Sequence, residues 1–403
     1  MKVREMIWVG IDVGKAHHHA CAVDEAGKVV FTKRLVNSQA EIEALIARAG
    51  KAAGQVCWAL DMTSGTAGLL LALLLAGRAR VRYVPGRLVN RMAGAFAGEG
   101  KSDAKDAFTI AETARLRGDL TLITSPDQVV ADLQVLTARR EDLMGDWVRG
   151  VNRLRALLAS IFPALEASFD YSTRSALVLL TGFQTPEGIR QAGAEGITAH
   201  LHAGRAWVKG IPAMVDKALA AAAAQTIALP TEATVAPLIA RLAAQLLDLD
   251  REIKDLDKQL SDRFADHPHA PRITSVPGFG PILGAQLLAD TGGDLHAAFG
   301  AAGRLAAYAG LAPVPRDSGR VRGNLHRPKR YHRGLRRVFY LAALSAIKPE
   351  GPSRAFYQRK RAEGKIHTQA LIALARRLID VIWALLRDGR EFHNSPPVTA
   401  HAA

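Results

Sequence analysis

Four aspartates in the first third of the chain are spaced so that their carboxylates could work together. Asp12 and Asp61 each end an apolar run, and Asp103 and Asp106 stand three residues apart in a helical pattern, which places them on one helix face. Carboxylates that meet repel one another unless a cation neutralises them, and an all-oxygen ligand set suits Mg²⁺, with Mn²⁺ as an alternative. Two such ions stabilise the attacking and leaving oxygens of a phosphoryl transfer. Because a lone aspartate in such a place is usually a cap, the metal prediction depends on all four.

The elements around these aspartates predict an α/β unit. Three strand-like runs come first and alternating helices and strands follow, in the order β-β-β-α-β-α-β-α. The predicted strands are 6–11, 18–23, 29–35, 55–60 and 81–84, and the predicted helices are 41–48, 67–76 and 103–117, the last with Ser102 as its N-cap. In this order the first and fourth strands can lie side by side, and the last helix can lay its first turn across their ends.

Basic residues concentrate in the last third of the chain. The stretch from Arg316 to Arg337 carries a single acid, Asp317, and predicts a nucleic-acid contact surface. Ser318 within it could attack a phosphodiester, although a serine in such a segment is usually a turn residue. The predicted nucleic-acid contacts are Lys15, Lys101, Lys105, Arg316, Arg320, Arg322, Arg327, Lys329, Arg330, Arg333, Arg336 and Arg337.

A glycine-containing turn over residues 276–281 is a second candidate phosphate contact. Gly278 and Gly280, one residue apart, let a tight hairpin expose backbone N–H groups to an anion, and the next helix adds its dipole. The pattern resembles a helix-hairpin-helix phosphate grip. An ordinary helix-connecting turn is equally compatible with it.

The middle of the chain predicts long helices. Apolar residues step by four and three from Leu242 to Leu260, a seam of a and d positions that fits either two helices packed within one chain or a dimer. We predict an α/β domain over 1–122 and a helical, coiled-coil linker and dimerisation region over 123–266. A mainly α-helical domain with the hairpin motif and the serine follows over 267–350, then a C-terminal helix and loose tail over 351–403.

Composition narrows the function classes. The 403 residues carry a formal net charge of +15, which indicates a polyanionic partner, either nucleic acid or an anionic membrane surface. The longest apolar run, 69–76, is far shorter than the roughly 20 residues of a membrane span. Two cysteines exclude a disulfide framework and a four-cysteine zinc site, and they fit a reducing cytoplasm. The consecutive histidines 17–19 point to alternate strand faces, so we interpret them as structural or surface residues.

Several segments together resemble the DEDD-type insertion-sequence transposases of the IS110 family. The N-terminal motifs are Gly10-Ile11-Asp12-Val13-Gly14-Lys15, Leu60-Asp61-Met62-Thr63 and the segment 98–107. The turn at 276–281 and Ser318-Gly319 with its basic surroundings resemble the C-terminal transposase domain of that family. The resemblance spans residues 6 to about 347, and the central region matches only in being helical.

The resemblance implies a RuvC-like, RNase H-type N-terminal domain whose acids Asp12, Asp61, Asp103 and Asp106 bind Mg²⁺. It also implies that Ser318 forms a transient phosphoserine link to DNA. A structured noncoding guide RNA (a bridge RNA) would pair with donor and target DNA, and a tetramer built from dimers would combine acids of one subunit with the serine of another. One departure is that the second acid of the family is commonly Glu, whereas Asp61 stands here.

Three other functions fit part of the pattern. A metal-dependent Holliday-junction nuclease would use the same acids to activate water, leaving no protein–DNA adduct. A sugar or acetate kinase of the actin-like fold would use residues 10–14 as a phosphate loop, but it gives no reason for the basic run. A non-catalytic nucleic-acid scaffold would bind without cleavage and would be insensitive to chelators.

Overall fold

The structure is a computed structural model that describes residues 4–62, 65–94, 102–123, 127–315, 318 and 323–393. It divides into two compact units, an N-terminal unit over Met1–Pro126 and a C-terminal unit over Asp127–Ala403. Among the described residues, no helix combines the length and the apolar character that a membrane crossing requires.

The N-terminal unit is a mixed sheet with helices on both faces. Its strands are β1 (Arg4–Val13), β2 (His17–Asp24), β3 (Val29–Val36), β4 (Ala53–Leu60), β5 (Arg80–Tyr83) and β6 (Leu122–Ile123). Its helices are α1 (Gln39–Ala52), α2 (Gly68–Ala76), α3 (Gly86–Ala93) and α4 (Asp103–Leu116). The predicted order is present, with α3 and β6 as additions. Pro85 reads as a break in the sequence, but its carbonyl accepts the N–H groups of Leu88 and Val89 and begins a helix.

The strand order is β3-β2-β1-β4-β5-β6. The first three strands form an antiparallel meander, and β4 lies parallel to β1 with Ile11 paired to Leu60. The fourth strand therefore stands beside the first, as the element order predicts. Helices α1 and α2 cover one face through a core that includes Val9, Ile42 and Leu70.

Helix α4 covers the other face and lies unusually close to β1. A Cβ placed on Gly10 would stand 2.2 Å from the backbone nitrogen of Ala111 and 2.3 Å from the carbonyl oxygen of Ala107. Only glycine leaves room for this approach. Cys21 and Val23 of β2 complete the contact with Ala107 and Ala111.

The C-terminal unit is almost entirely helical, and its helices share two apolar clusters. The helices are α5 (Gln128–Ile161), α6 (Pro163–Ser168), α7 (Arg174–Gly182), α8 (Pro186–Ala203, kinked at Gly193), α9 (Ile211–Ala224), α10 (Glu232–Ala265), α11 (Ala270–Ser275), α12 (Pro281–Thr291), α13 (Leu295–Phe299), α14 (Ala302–Tyr308), α15 (Arg333–Ala346), α16 (Pro352–Ala362) and α17 (His367–Asp388). Two short strands, β7 (Val314–Pro315) and β8 (Leu325–His326), pair antiparallel.

The heptad seam of α10 packs against α5 of the same chain. A Cβ on Gly150 of α5 would stand 2.7 Å from Leu246 Cδ2, so the helices approach closely there. Arg139 pairs with Glu252 at 2.7 Å, and Arg263 near the end of α10 pairs with Asp132 near the start of α5 at 2.7 Å. These pairs make the two helices antiparallel, and the seam is covered without a second chain.

Candidate active site

Asp12 and Asp61 stand side by side at one end of the sheet. Asp12 follows Ile11 in β1 and Asp61 follows Leu60 of β4, and Ile11 and Leu60 are register partners in the parallel pair. Neighbouring strands lie about 4.8 Å apart. Side chains alternate along a strand, so Asp12 shares a face with Gly10, and Asp61 shares a face with Ala59. Gly10 touches α4 and Ala59 packs with residues of α4, so both aspartates lie on the α4 face.

Helix α4 brings its first turn to the same end. Ser102 is its N-cap, as predicted, with its hydroxyl oxygen accepting the Lys105 N–H at 3.3 Å. Asp106 stands one turn before Ile110, which packs over Ala59 of β4, and Asp103 stands one turn before Ala107, which lies over β1. The helical spacing thus places Asp106 above the stripe of α4 that covers β4, and Asp103 above the stripe that covers β1.

The pKa of Asp61 depends on its burial and on the nearby Asp106. Burial raises the pKa of Asp61, the nearby Asp106 carboxylate raises it further, and the backbone amides of Asp61 and Val13 oppose the rise. Its Oδ1 atom is buried and has no hydrogen-bond partner among the described atoms. A buried carboxylate oxygen without a donor is costly, and none of the described residues supplies a donor to this one.

The acid site fits a divalent cation by donor chemistry. Asp12, Asp61, Asp103 and Asp106 offer only carboxylate oxygens, and the Asp61 Oδ1 atom is orphaned. Over the part of the chain that the structure describes, no three or more His, Cys, Asp or Glu side chains are gathered as a ready-made metal ligand set. Asp103 itself is exposed on the first turn of α4.

Two positioning features of this site are not evident from the motifs. Glu112 of α4 is buried and holds Arg115 at 2.7 Å, and Arg115 donates to the Glu25 carbonyl in the turn between β2 and β3. This contact fixes the far end of α4 to the sheet. The opposite charges of Glu112 and Arg115, three residues apart, are the sequence signal for this contact. The second positioning feature is Gly10, and its signal is a glycine inside an apolar strand.

His19 lies at the acid site, not on a remote surface. It is the antiparallel register partner of Asp12, and directly opposed residues share one sheet face. Its Nε2 atom is buried and has no partner among the described atoms. The interpretation of residues 17–19 as structural or surface histidines stays a prediction, but the register partner of His19 could not be found from alternation along one strand alone.

The predicted lysines beside the acids divide between described and undescribed residues. Lys15 is exposed in the turn between β1 and β2, and Lys105 is half-buried in the first turn of α4. Lys101 lies outside the described residues.

Ser318 is exposed in a loop that β7 and β8 close. Val314 pairs with His326 and Pro315 with Leu325, so the chain leaves and returns at the same place. An exposed hydroxyl on such a loop is accessible to a large substrate. The neighbouring Arg316, Arg320 and Arg322 lie outside the described residues.

The remaining basic residues of this stretch fall into two groups. Arg336 is half-buried, donates to the Gly310 carbonyl at 3.1 Å and lies 4.8 Å from the Tyr331 ring centroid, so it has a packing role. The others are exposed and form no ion pair with a described acid: Arg327, Lys329, Arg330, Arg333 and Arg337. These five leave their charge available to a polyanion.

The two glycines of the predicted phosphate grip have different environments. Gly278 has a φ of +92°, and a Cβ there would stand 2.1 Å from the Ala342 carbonyl oxygen of α15. Packing thus accounts for Gly278. Gly280 is exposed at the start of α12 with nothing within 4 Å of a Cβ, so packing does not account for a glycine there.

Comparison with known proteins identifies the family. Residues 9–163 match the DEDD-type IS110 transposase domain, and residues 270–358 match the domain described as transposase IS116/IS110/IS902 family. The insertion element IS116 uncharacterized 44.8 kDa protein of Streptomyces clavuligerus is 49% identical, covering 99% of both chains. The chain belongs to the IS110 family of insertion-sequence transposases. The IS900 uncharacterized 42 kDa protein of Mycobacterium paratuberculosis is 47% identical over 98% of this chain and 99% of its own.

Membership in the IS110 family makes the chain a DNA transposase, an enzyme that recombines DNA. A third relative, the IS110 uncharacterized 43.6 kDa protein of Streptomyces coelicolor, is 32% identical over 98% of both chains. The matched DEDD domain indicates an RNase H-like fold, in agreement with the mixed sheet of the N-terminal unit, and implies use of a divalent metal.

Proposed function

We propose that this transposase cuts and rejoins DNA with two sets of residues, the acids at the α4 end of the sheet and the hydroxyl of Ser318. The observation that supports this most strongly is that Asp12 and Asp61 follow paired residues of neighbouring strands, that Asp106 acts on the pKa of Asp61, and that the buried Asp61 Oδ1 has no donor among the described residues. Such an arrangement is costly in a protein that only needs to fold.

Mg²⁺ is the proposed cation, held by Asp12, Asp61, Asp103 and Asp106, with Mn²⁺ as an alternative. When bound there, it would polarise a phosphate and lower the repulsion among the acids. Asp61 in place of the more common glutamate has a side chain shorter by one methylene, about 1.5 Å of bond length. The burial of Asp61 beside Asp106 supports its assignment as a metal ligand despite the shorter side chain.

Ser318 is the proposed nucleophile. Its oxygen forms a bond to the phosphorus, the bond from phosphorus to one DNA oxygen breaks, and that oxygen leaves with a proton. The phosphoserine link keeps the energy of the phosphodiester, so a DNA hydroxyl can reverse the step without ATP. Arg316, Arg320 and Arg322 are close in sequence and would offset charge on the phosphate oxygens.

Guidance by a bridge RNA and assembly as dimers and a tetramer complete the proposal. The net charge of +15 and the five exposed, acid-free cations between Arg327 and Arg337 support binding of more nucleic acid than one duplex.

Because α5 covers the α10 seam, a dimer would need other surfaces of the long helices. Gly280 at the start of α12 is the part of the hairpin that we propose contacts phosphate, and the buried free cysteines fit a reducing bacterial cytoplasm.

Trapping the covalent link tests the serine. Wild-type protein with element-end DNA and Mg²⁺ should yield a protein–DNA adduct that survives denaturation, and Ser318→Ala should yield none while still binding DNA. Ser160→Ala, at another exposed serine, is the matched control and should behave as wild type. Cleavage without any adduct in the wild type would instead identify water as the nucleophile, as in a Holliday-junction nuclease.

Sequencing the RNA that copurifies with the protein tests the guide. Expression together with the native flanking DNA should enrich one structured transcript from the element over bulk cellular RNA. Recovery of only bulk RNA, with recombination still active after nuclease treatment, would contradict RNA guidance.

A further inference from the structure

We propose that α16 and the adjoining face of α17 bind the phosphate backbone of duplex DNA, in addition to the basic stretch before α15. The proposal is based on a cluster of three cations, Arg359, Lys360 and Arg377, around the ring of Phe356. The charged atoms stand 5.1, 5.6 and 5.4 Å from the ring centroid, in that order. Arg359 and Lys360 come from α16 and Arg377 from α17.

The charged atoms of this cluster are not needed to hold α16 in place. Helix α16 has no fully buried residue, and it is attached to the core by Phe356 and Tyr357, which pack against it half-buried. Three like charges that share one ring repel one another, and the ring offsets only part of that repulsion, about 0.5–1 kcal/mol per exposed contact. The cluster is therefore better explained by a partner than by packing.

The surrounding acids do not neutralise the cluster. Glu363 contacts Lys360 at 2.7 Å and Arg359 at 4.0 Å, so one carboxylate serves two cations. Among the described residues, Arg377 is exposed and forms no ion pair. At least two unit charges remain for an anion.

Duplex DNA is the partner that fits this geometry best. Sites for single strands stack bases on exposed aromatic rings, but the Phe356 ring is already occupied by three cations. Cations without free aromatic faces contact the backbone alone, and duplex DNA has the denser row of phosphates. The enzyme acts on DNA, which supplies that partner.

The salt dependence of binding tests the surface. A triple variant, Arg359→Gln with Lys360→Gln and Arg377→Gln, should lower the slope of log affinity against log salt by about 2 to 3 on a short duplex of arbitrary sequence, since each phosphate contact contributes about 0.9. The matched control replaces Arg149, Arg190 and Arg251, each paired with an acid three residues away, and should leave the slope nearly unchanged.

Two outcomes would contradict binding of duplex DNA by this surface. One is that the triple variant has the wild-type slope of log affinity against log salt and an unchanged melting temperature. The other is a slope that falls on RNA of equal length but not on duplex DNA, which would assign the cluster to RNA. Glu363→Gln supplies an independent check, because removing the one shared acid should strengthen duplex binding.

A separate observation carries a second inference, which rests on the proposed metal site: we infer that His19 is a positioning residue for Asp12. The two residues are register partners on one sheet face, and Cβ atoms of such partners lie about 4.5–5.5 Å apart. The buried Nε2 of His19 has no partner among the described atoms, and a ring N–H on the same sheet face can orient the Asp12 carboxylate around a cation.

Mn²⁺ titration of the full-length protein without DNA tests this role. His19→Leu should weaken Mn²⁺ binding about 10- to 100-fold, and His19→Gln, whose amide can donate from a similar position, should recover most of it. His17→Leu, at an exposed neighbour, is the control. Wild-type affinity in His19→Leu would overturn the role of His19 alone, whereas no Mn²⁺ binding by the wild type would overturn the metal site and this inference with it.

Discussion

The acid site and the serine loop are built in opposite ways. Asp12 and Asp61 stand at the end of two paired strands, and Asp103 and Asp106 stand on the first turn of α4. Gly10 sets the distance between this helix and the sheet. Ser318 is exposed in the segment between β7 and β8, two short strands that pair at Val314–His326 and Pro315–Leu325. Asp12 and Asp61 are therefore positioned by the packed sheet, whereas the serine is presented at the surface.

The largest expected effect comes from removing charge at the rigid site. Asp61→Asn should lower DNA cleavage by about 10³-fold or more, comparable with removing one group that acts only in the transition state. Single-turnover cleavage at saturating Mg²⁺ measures it. Asp119→Asn, which removes an exposed acid paired with Arg117, is the matched control. Cleavage within tenfold of wild type would show that Asp61 is a strand-end aspartate without a catalytic role.

The next effect tests whether close packing positions the acids. Gly10→Ala places a methyl group inside the backbone of α4, so we expect a loss of about 1–3 kcal/mol or more in unfolding free energy and a shifted α4. Cleavage should fall further than stability explains. The control is Gly50→Ala in α1, which meets no atom within 4 Å and should stabilise by about 0.5–1 kcal/mol. Full activity in Gly10→Ala would contradict the close approach.

The two glycines of the turn before α12 separate packing from binding in the C-terminal unit. Gly278→Ala should destabilise strongly, because its φ is +92° and the Ala342 carbonyl fills the space. Gly280→Leu should leave the melting temperature within a few degrees and should weaken DNA binding several-fold by covering the exposed backbone. Melting curves and duplex titrations on both variants measure this. Unchanged binding in Gly280→Leu would make the motif an ordinary turn.

Sequence patterns predict which strands are neighbours, because that depends on the order of the elements. They do not predict which residues face each other across two strands, because that depends on the register. The element order predicts Asp12 and Asp61 together, because a three-strand meander leaves β4 beside β1, and the cap pattern predicts Ser102 at the start of α4. The position of His19 opposite Asp12 depends on how many residues turn between β1 and β2, which alternation along one strand does not show.

The partner of the α10 seam and the chemistry of Ser318 could not be predicted from local sequence patterns, for a different reason. The seam of α10 has the same spacing whether its partner is α5 or another chain, and only the close fit at Gly150 decides for α5. Ser318 carries no local signal of its chemistry, so its role came from the family resemblance. A hydroxyl on a loop is chemically ordinary until the groups around it are known.

The smallest effect concerns Asp290 of α12, a buried acid in the unit that carries the serine. Burial raises the pKa of its carboxyl, which the charge of His332 at 3.7 Å and a hydrogen bond from Gln286 only partly oppose. A raised pKa means that the folded state holds the proton more tightly than the unfolded chain. Stability is then complete below the unfolded value and is lost as pH rises through the folded one.

Asp290→Asn removes this dependence and therefore tests it. The melting temperature of the variant relative to wild type should increase as pH rises from the ordinary aspartate range toward neutrality, because only the wild type must bury a charge. Thermal melts across that range measure the difference, with Asp266→Asn at an exposed acid as the control. A difference that stays constant with pH would mean that the contact with His332 fully offsets the burial of the Asp290 charge. In that case the buried pair, and not a lone acid, would hold the segment before α15 in place.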